Sequence, residues 1–129
     1  MRDIEFRAKH TYDGQWKYGY LVYVPADAAY KITQGKEISY FVQGTSIGQY
    51  TGLKDKNGIK IFEGYILNSL YKDDGCTGVY VIDFIDGCFY PKKYKAHQQP
   101  VTITMRDLRM CEVIGNIYDN PELLEVNDD

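Results

Sequence analysis

The sequence has few of the residues from which metal sites and disulfide frameworks are built. Its three cysteines, Cys76, Cys88 and Cys111, include no Cys-x-x-Cys pair, and an odd number does not suit a disulfide framework. Its two histidines, His10 and His97, lie far from each other and from any pair of cysteines. We therefore predict reduced thiols, no metal site and no cofactor.

Long hydrophobic runs are also absent. The longest apolar runs, such as residues 20–24 and 79–82, are far shorter than the roughly 20 residues that a membrane-spanning helix needs. Residues 1–7 alternate charged and apolar side chains and contain no signal-peptide core. The sequence therefore predicts a cytoplasmic protein with no membrane partner.

Basic residues are missing from one end of the chain. Residues 111–129 hold six of the 18 acidic side chains and no Lys or Arg, so the first 110 residues carry 15 basic and 12 acidic side chains. A surplus of three positive charges in the first 110 residues does not by itself predict nucleic-acid binding. At 129 residues, 44% hydrophobic and 26% charged, the chain is typical of one globular domain or one domain with a small appendage.

Catalytic motifs are missing as well. The chain contains no P-loop, dinucleotide fingerprint, HExxH or nucleophile elbow. The acid pairs Asp73–Asp74 and Asp83–Asp86 lie in turn sequences, where Asp is favoured for local hydrogen bonding. We therefore predict a protein that is not an enzyme and has no catalytic residues.

Tyrosine is what the chain has in excess: 13 residues, against one Trp and five Phe. Its ring packs while its hydroxyl reaches water or a partner, and it is enriched in strands and at interfaces. Two interpretations follow. The tyrosines occupy half-exposed positions of a thin sheet, or they form a subunit interface or stacking surface.

The hydrophobic pattern is that of short strands separated by Gly-, Asp- and Pro-containing turns. It predicts loops at 25–36, where residues 25–30 form a loop or one helical turn, and at 91–100. Helical turns are predicted at 105–110 and 121–124, with Asn120 as the cap of the second. Asn57-Gly58, a pair suited to positive φ values, predicts a hairpin turn between the strands at 49–53 and 59–62. The predicted strands are residues 2–9, 16–24, 37–42, 49–53, 59–62, 65–71, 78–84, 88–90, 101–105 and 112–118. Such spacing predicts a mainly β fold with a small barrel or roll. We divide it into an N-terminal β segment, 1–46, and a barrel, 47–129, with a C-terminal strand, a short helix and an acidic tail.

One cluster of basic and aromatic residues is present, Lys92-Lys93-Tyr94-Lys95. Lysines can contact phosphates while tyrosines stack on bases, as in single-strand binding proteins. Three lysines are few, however, and give weak, salt-sensitive affinity. The cluster is therefore a candidate nucleic-acid site, with a solvated loop as the simpler interpretation.

Three further stretches carry a resemblance to a known family: QYTGLKDKNG at 49–58, IFEG at 61–64 and EVIGNIYDNPELL at 112–124. Together with RDIEFRA at 2–8, they resemble the YopX family of phage and prophage proteins over essentially the whole chain. Members commonly have Asp after the Glu-Gly of the second motif, where this chain has Tyr65, so a polar role of that Asp does not carry over to this chain. The resemblance implies a mainly β structure with an SH3-like barrel and self-association, and no known activity, cofactor or catalytic residue.

We therefore expect a phage or prophage accessory protein that is not an enzyme and acts through protein contacts, as a homo-oligomer with an unknown protein partner. The alternative is a nucleic-acid-binding SH3-like barrel that uses Lys92–Lys95. An enzyme whose site cannot be identified from the sequence is the third hypothesis.

Overall fold

The structure is a computed structural model and describes residues 3–69, 78–96 and 103–125. Its contacts divide the chain into two units, residues 1–52 and 53–129. Both are mainly β: ten strands and four short 3-10 helices lie in the described ranges. Among these helices, none has the length and apolar character needed to cross a membrane.

The first unit is an antiparallel sheet in the order β4-β3-β2-β1-β5. Its strands are β1 (Phe6–Lys9), β2 (Trp16–Val24), β3 (Ala29–Thr33), β4 (Ser39–Val42) and β5 (Gly48–Lys54), the last of which continues into the second unit. The predicted turn between β1 and β2 is present. There the Gln15 N–H donates to Asp13 Oδ1 at 2.8 Å, and this bond and the neighbouring His10 lower the pKa of Asp13.

Strand β3 was not predicted, because residues 25–36 were assigned to a loop. A 3-10 turn at Pro25–Asp27 and a left-handed Ala28 (φ 48°) reverse the chain directly after β2. Residues 29–33 then pair with β2 in register, from Val24↔Ala29 to Tyr20↔Thr33. The loop assignment was wrong because this five-residue strand becomes stable only when β2 and β4 pair with its two edges.

The core of the first unit lies on one face of its sheet. Ala8, Ile32 and Val42 are its buried centre. Cross-strand pairs such as Leu21↔Ile32 and Ile32↔Tyr40 place their side chains on this same face. The opposite face of strands β2 to β4 is left with exposed side chains.

The second unit contains the end of β5, the short strand β6 (Lys60–Phe62) and a four-stranded antiparallel sheet in the order β10-β7-β8-β9. The strands of that sheet are β7 (Tyr65–Ser69), β8 (Gly78–Ile85), β9 (Cys88–Ala96) and β10 (Cys111–Asn116). The fully buried side chains of the second unit include Ile66, Leu67, Tyr80 and Leu108. Within the described ranges the two sheets have open edges and do not close into a barrel, so the SH3-like barrel stays a prediction.

Strand β9 is longer than predicted. Residues 91–96 continue it through Pro91, which pairs with Ile82, whereas the sequence predicts that Pro91 ends the strand and starts a loop. That prediction was wrong for residues 91–96, because β9 is an edge strand and an edge tolerates a residue without an N–H. Residues 97–100 lie outside the described residues.

The region before β10 also differs from its prediction. Residues 103 and 104 are not in a strand, and a 3-10 helix spans Met105–Met110. Thr104 and Asp107 form a capping box at its start, with Asp107 Oδ2 accepting from the Thr104 N–H at 2.9 Å. The helical turn was predicted correctly, whereas the strand at 101–105 is absent from the described residues 103–105.

The turn between β5 and β6 has a different geometry from the one expected. Only Gly58 has a positive φ in this turn, +81°, while Asn57 does not. The Gly58 N–H donates to the Asp55 carbonyl at 3.0 Å, and the Asp55 N–H donates to the Ile59 carbonyl at 2.8 Å. This is a type I turn followed by a left-handed glycine.

The Asp55 side chain is the polar centre of this region. It is buried, with 5% of its surface exposed. Its Oδ1 accepts from the N–H groups of Asn57 and Ile59 at 2.8 and 2.9 Å, and its Oδ2 accepts from the Val113 N–H at 2.9 Å. One carboxylate therefore joins the turn to strand β10, 58 residues away in sequence.

Replacing Gly58 tests the turn. We expect Gly58→Val to lower the free energy of unfolding by about 2 kcal/mol, because a β-branched residue resists a positive φ. A Cβ at this position meets no atom within 4 Å, so the cost comes from the backbone alone. Gly58→Asn is the matched control and should cost less than about 1 kcal/mol, since Asn tolerates this conformation. Urea unfolding measures both, and a Val variant within about 0.5 kcal/mol of wild type would contradict the turn geometry.

Replacing Asp55 tests its hydrogen bonds. We expect Asp55→Ala to lower the free energy of unfolding by about 3 kcal/mol or more, since three N–H groups lose a charged acceptor. Asp55→Asn retains one carbonyl oxygen for the turn and should cost roughly half as much. Chemical denaturation followed by circular dichroism checks whether the free energy of unfolding decreases from wild type to Asp55→Asn to Asp55→Ala. Equal stabilities for the Asn and Ala variants would show that the turn bonds contribute nothing.

Candidate functional site: exposed aromatic surfaces

The polar residues of the C-terminal motif form a hydrogen-bonded cluster around Asn116. Its Oδ1 accepts from the N–H groups of Tyr118 and Asp119, both at 3.0 Å, and its Nδ2 donates to Asp119 Oδ2 at 3.1 Å. Asn120 is the N-cap residue of the following 3-10 helix, Pro121–Leu124, as predicted, but its side chain makes no capping hydrogen bond. Its Oδ1 instead accepts from the Asn116 N–H at 3.2 Å.

Two glycines fit closely around this cluster. A Cβ on Gly115 would lie 2.5 Å from Asn120 Oδ1, so only glycine leaves room for that side chain. Gly64 has a φ of +88°, donates to the Ile82 carbonyl at 2.7 Å and accepts from the Ile117 N–H at 3.0 Å. The motifs that carry the family resemblance therefore hold the second unit together.

The acidic pairs considered for chemistry have local roles where they are described. Asp83 Oδ1 accepts from the Phe84 N–H at 2.8 Å, and Asp86 has a φ of 53° in the turn it forms with Gly87. Asp73 and Asp74 lie outside the described residues. Within residues 3–69, 78–96 and 103–125, no three His, Cys, Asp or Glu side chains are grouped as metal ligands.

The cysteines do not form a cluster in the described part. Cys88 is exposed at the start of β9. Cys111 is buried, and its thiol lies 3.5 Å from the Asp107 carbonyl as a weak donor. Cys76 lies outside the described residues. A shallow surface depression beside the 3-10 helix Met105–Met110 is lined by Arg106, Asp107, Arg109 and Met110.

The first exposed surface is the end of the β8–β9 hairpin. We call it the hairpin tip and define it by four side chains: Phe84, Ile85, Phe89 and Tyr90. The rings of Phe84 and Phe89 meet edge to face with centroids 5.2 Å apart, because the two residues are paired across the strands. Ile85 and Tyr90 lie on the opposite face of the hairpin, so apolar side chains are present on both faces.

The predicted basic-aromatic cluster lies on the same strand. Lys92 and Tyr94 are exposed, and Lys92 Nζ lies 5.5 Å from the centroid of the Tyr94 ring. Lys93 is half-buried and pairs with Tyr80. The pairing shifts by one residue here, so that Tyr94 occupies a bulge, and Lys95 pairs with Val79. The cluster is thus part of an edge strand, and its role in nucleic-acid binding stays a prediction.

The second exposed surface lies in the first unit, on the sheet face opposite its core. We call it the tyrosine face. Cross-strand pairing puts its side chains in rows, and these rows are Lys9↔Trp16, Arg7↔Tyr18, Tyr20↔Thr33↔Ser39 and Val22↔Lys31↔Phe41. Tyr20 is 68% exposed and Tyr18 39% exposed.

Cations lie against aromatic rings on this face. The Arg7 guanidinium, 3% exposed, is 3.6 Å from the centroid of a Trp16 ring. Lys9 Nζ lies 5.5 Å from Trp16, and Lys31 Nζ lies 4.3 Å from the Phe41 ring. Such contacts stabilise a cation over the electron-rich face of a ring and hold the ring in place.

Sequence reasoning identified the excess of tyrosine but neither surface. The tyrosine face was not predicted because the row that contains Lys31 passes through strand β3, and the residues of β3 were assigned to a loop. The hairpin tip had a local signal. Apolar residues at both odd and even positions flank Asp86-Gly87, and odd and even positions of a strand lie on opposite faces. A two-residue turn there therefore leaves both faces of the hairpin apolar.

Comparisons with known proteins agree with this fold. The model of the family described as YopX protein matches residues 5–125. Protein EF1440 from Enterococcus faecalis has a solved structure that is similar with a TM-score of 0.61 and 28% sequence identity, covering 97% of this chain and 100% of that one. Protein yopX from Bacillus subtilis is similar with a TM-score of 0.56 and 21% identity, covering 99% and 100% of the two chains. None of the curated proteins compared with the chain matches it.

The family match covers nearly all of the chain and includes the motifs at 49–58, 61–64 and 112–124. The motif residues also make the hydrogen bonds that define the fold of the second unit. The chain therefore belongs to the YopX protein family.

Proposed function

We propose that the chain is an accessory protein of phage or prophage origin that is not an enzyme. It acts in the cytoplasm of the host cell through protein contacts, and its first partner is a second copy of itself. The observation that carries this proposal is the hairpin tip. Two aromatic rings and an isoleucine are exposed together beyond the last buried pair of the β8–β9 hairpin, Ile82↔Pro91.

Exposed apolar side chains grouped in this way favour association. Burying apolar surface contributes about 25 cal/mol per Å², and aromatic residues are enriched at the centres of interfaces. A two-fold interface brings the same patch of two copies together, so the patch must be self-complementary. The edge-to-face pair of Phe84 and Phe89 meets that condition, since an identical pair can pack against it edge to face.

The edge of β9 favours contact through side chains rather than through addition of a strand. Pro91 has no N–H to offer a partner strand, Lys92 places a charge on this edge, and Tyr94 occupies a bulge. These are the features by which natural sheets avoid edge-to-edge pairing. We therefore propose that two copies meet through the hairpin tip.

A role without catalysis is supported by how the polar groups are used. Asp55, Asp107, Asn116 and Asn120 all direct their side-chain oxygens at backbone N–H groups of their own unit. A catalytic group needs an oxygen, nitrogen or sulfur atom that reaches a substrate, and these four side chains direct their oxygens at the backbone instead. We also propose that the second unit is a partly open SH3-like roll, in which short sheets and 3-10 turns replace a closed barrel.

Nucleic-acid binding through Lys92–Lys95 is the alternative. It is supported by the exposed pair of Lys92 and Tyr94. It is weakened by Lys93, which is half-buried and pairs with Tyr80. One exposed lysine with a described side chain is a small charge for holding a phosphate backbone, so self-association is the better supported proposal.

A single charge at the hairpin tip tests self-association. We expect the wild-type protein to have a mass in solution that is a multiple of its 14.9 kDa chain, and Phe84→Asp to reduce it to one chain. A buried carboxylate without a partner opposes association strongly. Light scattering after size-exclusion chromatography measures both masses over a range of concentrations.

Ile59→Asp is the matched control for this experiment. Ile59 lies in the same unit and is 46% exposed, against 49% for Phe84, but it is not part of the hairpin tip. Its variant should keep the wild-type mass. A wild-type protein that remains a monomer at high concentration, or a Phe84→Asp variant with unchanged mass, would refute the proposal.

A further inference from the structure

We propose that the tyrosine face binds single-stranded nucleic acid, with bases stacking on Tyr18 and Tyr20 and the ammonium groups of Lys9 and Lys31 contacting phosphates. This site lies in the first unit and is independent of the hairpin tip. It also differs from the Lys92–Lys95 cluster, which lies on strand β9.

Strands β1 to β4 combine basic and aromatic residues. Strands β1 to β4 contain four basic side chains, Arg7, Lys9, Lys17 and Lys31, and no acidic one. The same strands contain eight aromatic residues. Three of these cations, Arg7, Lys9 and Lys31, lie on the tyrosine face, whereas Lys17 pairs with Ala8 on the core face, so the face is basic although the whole chain has a net charge of −3. A basic sheet within an acidic protein is a local attraction for a polyanion.

The spacing of the tyrosines on this face matches the spacing of bases. Tyr18 and Tyr20 are two residues apart on β2, so their Cα atoms are separated by about 6.6 Å. This is roughly twice the 3.4 Å rise between stacked nucleotides of one strand, which leaves space for a base next to each ring. The row that begins at Tyr20 continues across Thr33 and Ser39, whose hydroxyl groups can donate and accept hydrogen bonds.

The ammonium groups of the face are held in place by aromatic rings. Lys31 lies over Phe41 and Lys9 over Trp16, so both ammonium groups are held on the same face as Tyr18 and Tyr20, the rings on which bases would stack. Proteins that bind single strands combine charge and aromatic surface in one place, since bases stack on the rings and cations follow the backbone. A ring on a sheet face cannot stack on a base that is paired and stacked inside a duplex, so single strands are the form that fits.

Fluorescence anisotropy with labelled oligo-dT and oligo-dA tests the inference on the full-length protein, with a duplex of mixed sequence as comparison. We expect both single strands to bind at low salt, more tightly than the duplex. Two lysines contacting phosphate predict a slope of about −1.4 for the logarithm of the association constant against the logarithm of salt concentration. No binding of either single strand, or equal binding of the duplex, overturns the proposal.

Variants locate the site. Tyr20→Ala should weaken single-strand binding by about 5- to 100-fold, the range expected for one lost base stack. Lys31→Gln should reduce the salt slope by about 0.7, a change that a loss of folding would not produce. Tyr12→Ala is the matched control, because Tyr12 is 85% exposed in the turn before β2 and outside the face. It should bind as the wild type does.

Thermal unfolding of the variants separates binding from stability. Tyr20 is so exposed that its truncation should leave the melting temperature nearly unchanged. Unchanged affinity in Tyr20→Ala overturns the proposal, as does loss of binding in Lys92→Glu alone, which would place the site on β9. If Tyr20→Ala changes the mass in solution while no oligonucleotide binds, the face is a protein interface. The hairpin-tip experiment is independent of all these outcomes.

Discussion

The second unit depends on one buried carboxylate. The Asp55 carboxylate accepts hydrogen bonds from three backbone N–H groups, two in its own turn and one in strand β10. Close by, the Lys56 N–H donates to the Cys111 carbonyl at 3.0 Å. The far end of β10 is held by Asn116, which folds the chain back on itself through Tyr118 and Asp119. Strand β10 is therefore fixed at both ends by side chains that satisfy backbone groups, where isolated strand pairing would be marginal.

The polar residues of the family motifs bond to the backbone, and the two exposed surfaces are largely aromatic. The hairpin tip is apolar on both faces. The tyrosine face combines rings with ammonium groups. These chemistries favour different partners, because an apolar patch gains most from excluding water, whereas a cation beside a ring attracts a charged strand with exposed bases.

Residues with strong local preferences could be assigned from the sequence. Strand β2 was predicted with its observed bounds, Trp16–Val24, and the hairpin around Asn57-Gly58 was identified from its turn residues. The helical turns at 105–110 and 121–124 were also predicted. Errors arose where the position of a residue in the sheet determines its structure. Pro91 continues a strand because β9 is an edge, and residues 29–33 form a strand because β2 and β4 pair with both of its edges.

The sequence by itself determined that this chain is mainly β, where most of its turns lie, and its membership of a family through three motifs. These properties follow from local backbone preferences and from short residue patterns. Only the tertiary structure decided which faces remain exposed. Tyr20 and Lys31 come onto one face through the pairing of β2 with β3, and Phe84 is exposed because its hairpin extends beyond the buried part of the sheet. Exposure depends on which strands become neighbours, and that is set by cross-strand register rather than by any single segment.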